Sequence, residues 1–359
     1  MEFIRPDINL DFVGRRNIAF VLSIVLIVTG LSAMVIRGGL NMGIDFAGGT
    51  IVQVKFSEPV EVSQIREALK PLGVGGSAIQ QVGLPGDNEF LIRTGVSGDG
   101  VNRFARQVKE KLEGAFGAGK VEIRRVETVG PKVGEDLRHK ALLAIYYSLL
   151  FIAIYISGRF EFKWLVSGGI AAALLVVLKL LEAVGLNYTY LTIGALILTL
   201  LLFWIFRLPY ALAAILALIH DVLITVGIFA IFNKEFTLQI VAALLTIVGY
   251  SLNDTIIVFD RIRENLRKER VVDFKELVNR SINQTLSRTI LTSGTTLVVI
   301  VALFALGGTV IRDFAFALMI GVIVGTYSSI FVASPLLIVY EEWALRKPVS
   351  GTAAARKAS

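Results

Sequence analysis

Charged residues are missing from this chain in block after block of roughly the length a helix needs to cross hydrocarbon, and that segregation limits the fold before any motif is read. Eight apolar runs stand out, at residues 17–36, 137–156, 165–181, 190–206, 210–232, 236–259, 289–306 and 314–340. Since about 20 residues at 1.5 Å rise span the bilayer core, each is read as a membrane helix. Composition agrees: 55% of the 359 residues are hydrophobic, 18% are charged, and mean hydropathy is +0.71. A soluble domain of this size buries a core without so much apolar sequence. The first run follows Arg15 and Arg16, as in a signal peptide. It is nevertheless long enough to span, and no Ala-x-Ala-like site ends it, so an uncleaved first helix is predicted.

An even number of crossings puts both ends of the chain on one side. Arg15 and Arg16, the basic connector at 261–287, and Arg346, Lys347, Arg356 and Lys357 all fall on that side, which the positive-inside rule makes cytoplasmic. Lys132 and Arg138 are a counterweight in the long exported segment, and Arg312 is a lone exception. The net charge of +7 therefore reads as helix anchoring, not as a nucleic-acid surface. The expected layout is a cytoplasmic N-terminus (1–16), a first helix (17–36), an exported domain (37–134), and a second helix with its turn (135–164). A pair of helices (165–206), four more helices (207–340) and a cytoplasmic tail (341–359) follow. In the connector, Phe274, Leu277, Val278 and Ile282 share a helical face. That pattern suits a helix lying along the membrane surface, while the charged start suits a solvated extension of the preceding helix. There is no Cys, and only His139 and His220. Neither a metal-ligand set nor a nucleotide loop is found, so no cofactor, no metal and no enzyme activity are expected.

The exported segment alternates as a strand at 50–56, is helical at 62–69 with Glu61 or Ser63 near its start, and has strands at 78–82 and 89–94. Val101, Phe104, Val108, Leu112 and Phe116 give a second helix, and 121–126 a last strand. That order predicts a small ferredoxin-like α+β domain on an α-helical polytopic membrane protein. Asp45 precedes Gly48 and Gly49, glycines that let the chain turn tightly into this domain.

Polar groups inside the apolar runs carry the functional argument. Asp254 lies about 9 Å inside the cluster of Asp260, Arg261, Arg263 and Glu264 at 1.5 Å per residue. Buried there, it is either a proton relay or a fixed ion pair or polar helix contact, and the residues support the two readings equally. Asn253, Gly249, Tyr250 and Thr246 give its helix a small or polar face turned toward other helices or a water path. Arg288 begins the next span, placed to reach inward or to anchor at the surface. Thr289, Thr292, Ser293 and Thr296 follow as a hydroxyl stripe that suits a conduction path or helix packing. His220 and Asp221 sit midway in another run. Adjacent helical residues face different ways, so each is expected to meet a different neighbour. Hydrogen bonding is the favoured role for His220, with Asp221 a relay candidate. Gly321, Gly325 and Ser329 recur at four-residue spacing, as at a close helix crossing.

Four runs in order, GIDFAGGT (43–50), VGPKVGEDLR (129–138), LIHDVLITVG (218–227) and TIVGYSLNDTIIVFDRIRENLR (246–267), closely resemble the SecF family. The resemblance covers most of the chain. It implies an RND-like helix bundle with a periplasmic domain in the bacterial cytoplasmic membrane. It also implies partnership with SecD, action beside the SecYEG translocon with YajC nearby, a translocating preprotein as substrate, and protons as the coupling ion. The family's intramembrane aspartate falls on Asp254 and its important arginine on Arg288, which raises the relay reading of both. Asp45, Gly48, Gly49, Gly249, Asp260, Arg261 and Glu264 fall on family motif positions. Most relatives have six membrane helices. Here the match pauses after GRFEFKW (158–164) and resumes near Arg207, so the helices between are an insertion expected at the periphery. The competing readings are an RND-type proton-coupled exporter of small molecules or lipids, and a scaffold that would tolerate neutralising Asp254.

Overall fold

The computed structural model describes residues 9–73, 79–82, 86–95, 100–183, 187–268 and 273–346. Of the sequence expectations, Ala78 at the start of one strand, Lys347, Arg356 and Lys357 of the tail, and the first eight residues of the N-terminus lie outside the described residues.

Eight helices are long and apolar enough to cross a membrane among the described residues. They are α1 (Arg16–Ile36), α5 (Pro131–Ile156, prolonged by a π-turn at Ser157–Glu161), α6 (Trp164–Ala183), α7 (Tyr188–Ile205), α8 (Pro209–Ile231), α9 (Leu238–Lys268), α10 (Phe274–Leu306) and α11 (Gly308–Ser328). A π-turn at Ser329–Ala333 joins α11 to α12 (Ser334–Arg346), and the two cross as one span. The main core lies among α5, α7, α8 and α9, where Tyr146, Phe203 and Phe259 are fully buried, and a second cluster around Phe229 joins α8 and α9 to α11. The hairpin α6–α7 packs on α5 at the edge of the bundle, tied by a Tyr146–Thr199 hydroxyl pair at 3.3 Å and by His139 stacked on Tyr188 at 4.2 Å.

Between α1 and α5 the chain forms a short helix α2 (Ile44–Ala47) and then β1 (Gly49–Phe56), α3 (Val62–Leu69), β2 (Ile79–Val82), β3 (Glu89–Thr94), α4 (Val101–Phe116) and β4 (Val121–Val129). The sheet order is β2-β3-β1-β4 with every neighbour antiparallel, the ferredoxin-like arrangement that the element order predicts. Strand alternation turns Val52, Val54, Phe56, Phe90 and Ile92 onto Ile65, Leu69, Phe104, Val108 and Leu112 of the helices. Glu61 starts α3, its N–H donating to Gln64 at 3.1 Å.

The domain is pinned to the bundle at a neck. Gly48 and Gly49 have φ of +73° and +123°, and a side chain there would meet Pro131 and the Thr94 carbonyl. Asp45 accepts from the Leu238 N–H at 2.9 Å and so caps α9, and Arg93 pairs with Glu235 in the α8–α9 turn.

In the connector at 261–287 the charged start does extend the preceding helix, with Glu264, Leu266, Arg267 and Lys268 exposed, but the helix expected along the membrane surface is not there. The connector is a helical hairpin, in which α9 runs on to Lys268 and α10 already starts at Phe274. Leu277, Val278 and Ile282 are buried in the main core, so their apolar face meets protein instead of lying on lipid. Asn265 clasps the hairpin, donating to Ser281 at 2.8 Å and to Gln284 at 2.9 Å.

Candidate functional site

Two buried aspartates sit on neighbouring helices. Asp221, on α8, is closed in by donors. Its Oδ1 lies 2.8 Å from His220 Nδ1, and its Oδ2 accepts from Ser251 of α9 at 2.5 Å and Ser328 of α11 at 2.8 Å. His220 Nε2 lies 2.9 Å from Ser23 of α1, and Ser23 lies 3.1 Å from the Tyr327 hydroxyl. The expectation that His220 and Asp221 meet separate neighbours is therefore corrected. The two Cβ atoms diverge, but the imidazole is long enough to turn sideways and present Nδ1 to the adjacent carboxylate.

Close helix crossings make this network possible. A side-chain carbon on Gly30 would lie 2.6 Å from Gly227 Cα, so α1 and α8 touch backbone to backbone seven residues beyond Ser23 and His220. A carbon on Gly325 would lie 2.8 Å from Ser251 Cβ, and one on Gly321 would strike Ile247. Ser329, the third member of that stripe, instead bonds the Thr326 carbonyl at 2.9 Å, and Ser328 is the serine that reaches Asp221.

Asp254, on α9, is 1% exposed and accepts from Ser293 of α10 at 3.0 Å. Ser293 in turn accepts from Thr326 of α11 at 2.7 Å. Asn253, one residue away and about 100° around the helix, is exposed and lines a cleft of about 540 Å³. Asp260, Arg261, Glu264, Thr285 and Arg288 also line it. Asp260 pairs with Arg159 at 2.6 Å and Arg261 with Glu264 at 2.8 Å, whereas Arg288 is exposed with no ion pair among the described residues. From this cleft Thr285, whose hydroxyl also returns to the Ser281 and Ile282 carbonyls at 3.1 Å, Thr289 and Ser293 climb one face of α10 at four-residue steps to Asp254. The Thr289 hydroxyl on that ladder is buried without a hydrogen-bond partner among the described residues.

The rest of the expected polar face divides. Tyr250 donates to the Thr292 carbonyl at 3.3 Å, but Thr246 and Gly249 lie on the outer surface of this chain. Thr292 and Thr296 return their hydroxyls to their own helix, to the Arg288 and Thr292 carbonyls at 3.0 Å. Sequence reasoning missed Ser23, Ser251, Ser328, Thr326 and Thr285. For Ser251, Ser328 and Thr326 the available signal was Gly325, which marks where hydroxyls on α9 and α11 can meet; Thr285 carries no such signal.

Residues 107–201 and 187–343 match the family described as protein export membrane protein SecD/SecF, C-terminal, and residues 33–60 match the SecD/SecF GG motif. The protein translocase subunit SecF of Magnetococcus marinus is 43% identical over 98% of this chain and 99% of its own length. The SecF of Calditerrivibrio nitroreducens is 40% identical over 97% and 98%. The crystal structure of SecDF, a translocon-associated membrane protein from Thermus thermophilus, superposes with a TM-score of 0.69 at 34% identity. That match covers 95% of this chain and 40% of the SecDF chain, so this chain spans about two fifths of the solved protein.

Proposed function

This chain belongs to the SecD/SecF family of protein-export membrane proteins, and on that premise we propose that it is a Sec translocase subunit that, with SecD, uses the proton-motive force to promote late preprotein export across the bacterial cytoplasmic membrane. Its partners in this reading are SecD, the SecYEG translocon, YajC and the translocating preprotein. Both termini and the α9–α10 hairpin face the cytoplasm, and the sheet domain faces the periplasm.

The observation that carries the reading is the site of Asp254. An ionised carboxylate in a dry interior is costly, and one hydroxyl donor offsets little of that cost. Around Asp254 the described residues supply Ser293, an arginine without an ion pair five residues earlier on α10, and a ladder of hydroxyls leading from a polar cleft. A protonated Asp254 is accommodated by Ser293 alone. On losing its proton it attracts the Arg288 guanidinium, whose long stem lets it move inward from the cleft. The occupancy of one proton thus decides whether α9 and α10 are drawn together at this level. His220 and Asp221 act in this reading as the clasp of α1, α8, α9 and α11.

The test is export in vesicles containing SecYEG, SecD and this chain, with and without a proton gradient. Asp254→Asn keeps the shape and removes the titrating charge. The expected outcome is loss of the gradient-dependent gain with assembly intact. A variant that keeps the full gain would make Asp254 a packing residue and end the relay assignment.

A further inference from the structure

Ahead of α1 the chain lies against the start of α10 as a short irregular strap that turns at 12–15 into the helix, held by two asparagines one turn apart. Asn283 accepts from the Leu10 N–H and donates to the Leu10 carbonyl, both at 2.9 Å. Asn279 accepts from the N–H groups of Phe12 and Val13 at 2.9 and 3.2 Å. It also donates to the Leu10 carbonyl at 3.0 Å. An amide carries a donor and an acceptor side by side, as a neighbouring strand does, so it can satisfy both backbone groups of one residue. The recognition is of backbone: the Leu10 side chain is 50% exposed. Asparagine is a poor helix former, so two at this spacing have a local cost that needs a return elsewhere.

Both ends of the strap lead to the buried networks. Phe12 packs edge-on against Phe331 at 5.6 Å, Phe331 stacks on Tyr327 at 5.2 Å, and Tyr327 belongs to the Ser23–His220 chain. On the other side α10 runs unbroken from Phe274 to Leu306, so Asn283 lies about 7.5 Å along the helix from Arg288 and about 15 Å from Ser293. Glu342 reinforces the junction, pairing with Arg16 at 3.1 Å and Lys275 at 2.9 Å.

We propose that Asn279 and Asn283 are positioning residues that read the backbone of residues 10–13 and so fix α1 in register with α10, the helix that carries Arg288 and Ser293. The consequence for export rests on the function proposed above, so the test includes a readout that does not. A hydrophobic carbodiimide labels a membrane carboxyl only when it is protonated, and the pH of half-labelling at Asp254 is measured in the complex with SecD. Asn279→Ala with Asn283→Ala is expected to move that pH by about 1 and to lower the gradient-dependent gain about fivefold. Leu10→Pro, which removes the N–H, is expected to act in the same direction, while Leu10→Ser leaves both readouts unchanged. The chain has no native cysteine, and Asp11, Glu276, Asn279 and Asn283 line one cleft between the strap and α10, so a short bismaleimide between Asp11→Cys and Glu276→Cys tethers the strap specifically. In the double-alanine background the tether is expected to restore the wild-type labelling pH. Wild-type labelling in the double-alanine variant, equal effects of Leu10→Ser and Leu10→Pro, or failure of the tether to restore labelling would each overturn the proposal.

Discussion

Asp221 and Asp254 are equally buried, each about 1% exposed, but their surroundings differ in kind. Asp221 has three side-chain hydrogen-bond partners from three helices, and its network runs on through His220, Ser23 and Tyr327 to end on the Ala19 carbonyl of α1. Among the described residues Asp254 has one donor, and a hydroxyl ladder beside it opens on a polar cleft. The difference teaches that equal burial can go with quite different hydrogen bonding, which is the ground for proposing Asp254 and not Asp221 as the titrating carboxylate. A closed shell of donors fixes a group, and an open one leaves it free to change its protonation.

The comparison is broken most directly at Asp221. Asp221→Ala strands a histidine and two serines at a junction of helices and is expected to cost about 3–5 kcal/mol, against about 1 kcal/mol for Asp254→Ala. Melting in detergent would show it, and equal losses at the two positions would erase the distinction. Next in size is Gly325→Val, which pushes into Ser251 and is expected to cost about 1–3 kcal/mol. Gly249→Ala on the open face of α9, with nothing within 4 Å, should be neutral or slightly stabilising. A similar cost at both glycines would mean that the α9–α11 crossing does not support the Asp221 clasp. The smallest effect is at Thr292, whose hydroxyl returns to its own helix. Thr292→Val is expected to stay within about 0.5 kcal/mol and to leave the gradient-dependent gain intact. A large loss of gain there would move the proton path from the Thr285–Thr289–Ser293 face to the other side of α10.

The membrane helices were legible because charge falls at their ends, and the sheet domain because Val52, Val54 and Phe56 alternate while Phe104, Val108 and Leu112 recur at helical spacing. The α9–α10 hairpin was legible only in part, as the charged continuation of α9 beyond Phe259. The pattern of Leu277, Val278 and Ile282 gives a buried face but does not say whether lipid or protein buries it. The Asp254 neighbourhood was partly legible, since a carboxylate within an apolar run is conspicuous. Its serine partner was less so, because hydroxyls bond their own helix as readily as another, and Thr292 and Ser293, adjacent in sequence, do opposite things. The His220–Asp221 bond was illegible from spacing alone, because it depends on a side-chain rotation that helix periodicity does not describe.

The neck at Gly48 and Gly49 has a mechanical side. The strands that join the sheet domain to the bundle are adjacent in the sheet, Gly49 facing Val129, and the chain on both sides passes the same point, with Gly134 against the Phe46 carbonyl. Two attachments at one place act as a single pivot. With β1 about 26 Å long at 3.3 Å per residue, a tilt of roughly 10° at that pivot sweeps the far end through about 5 Å. The ion pair of Arg93 with Glu235 ties the sheet domain to the α8–α9 turn beside that pivot.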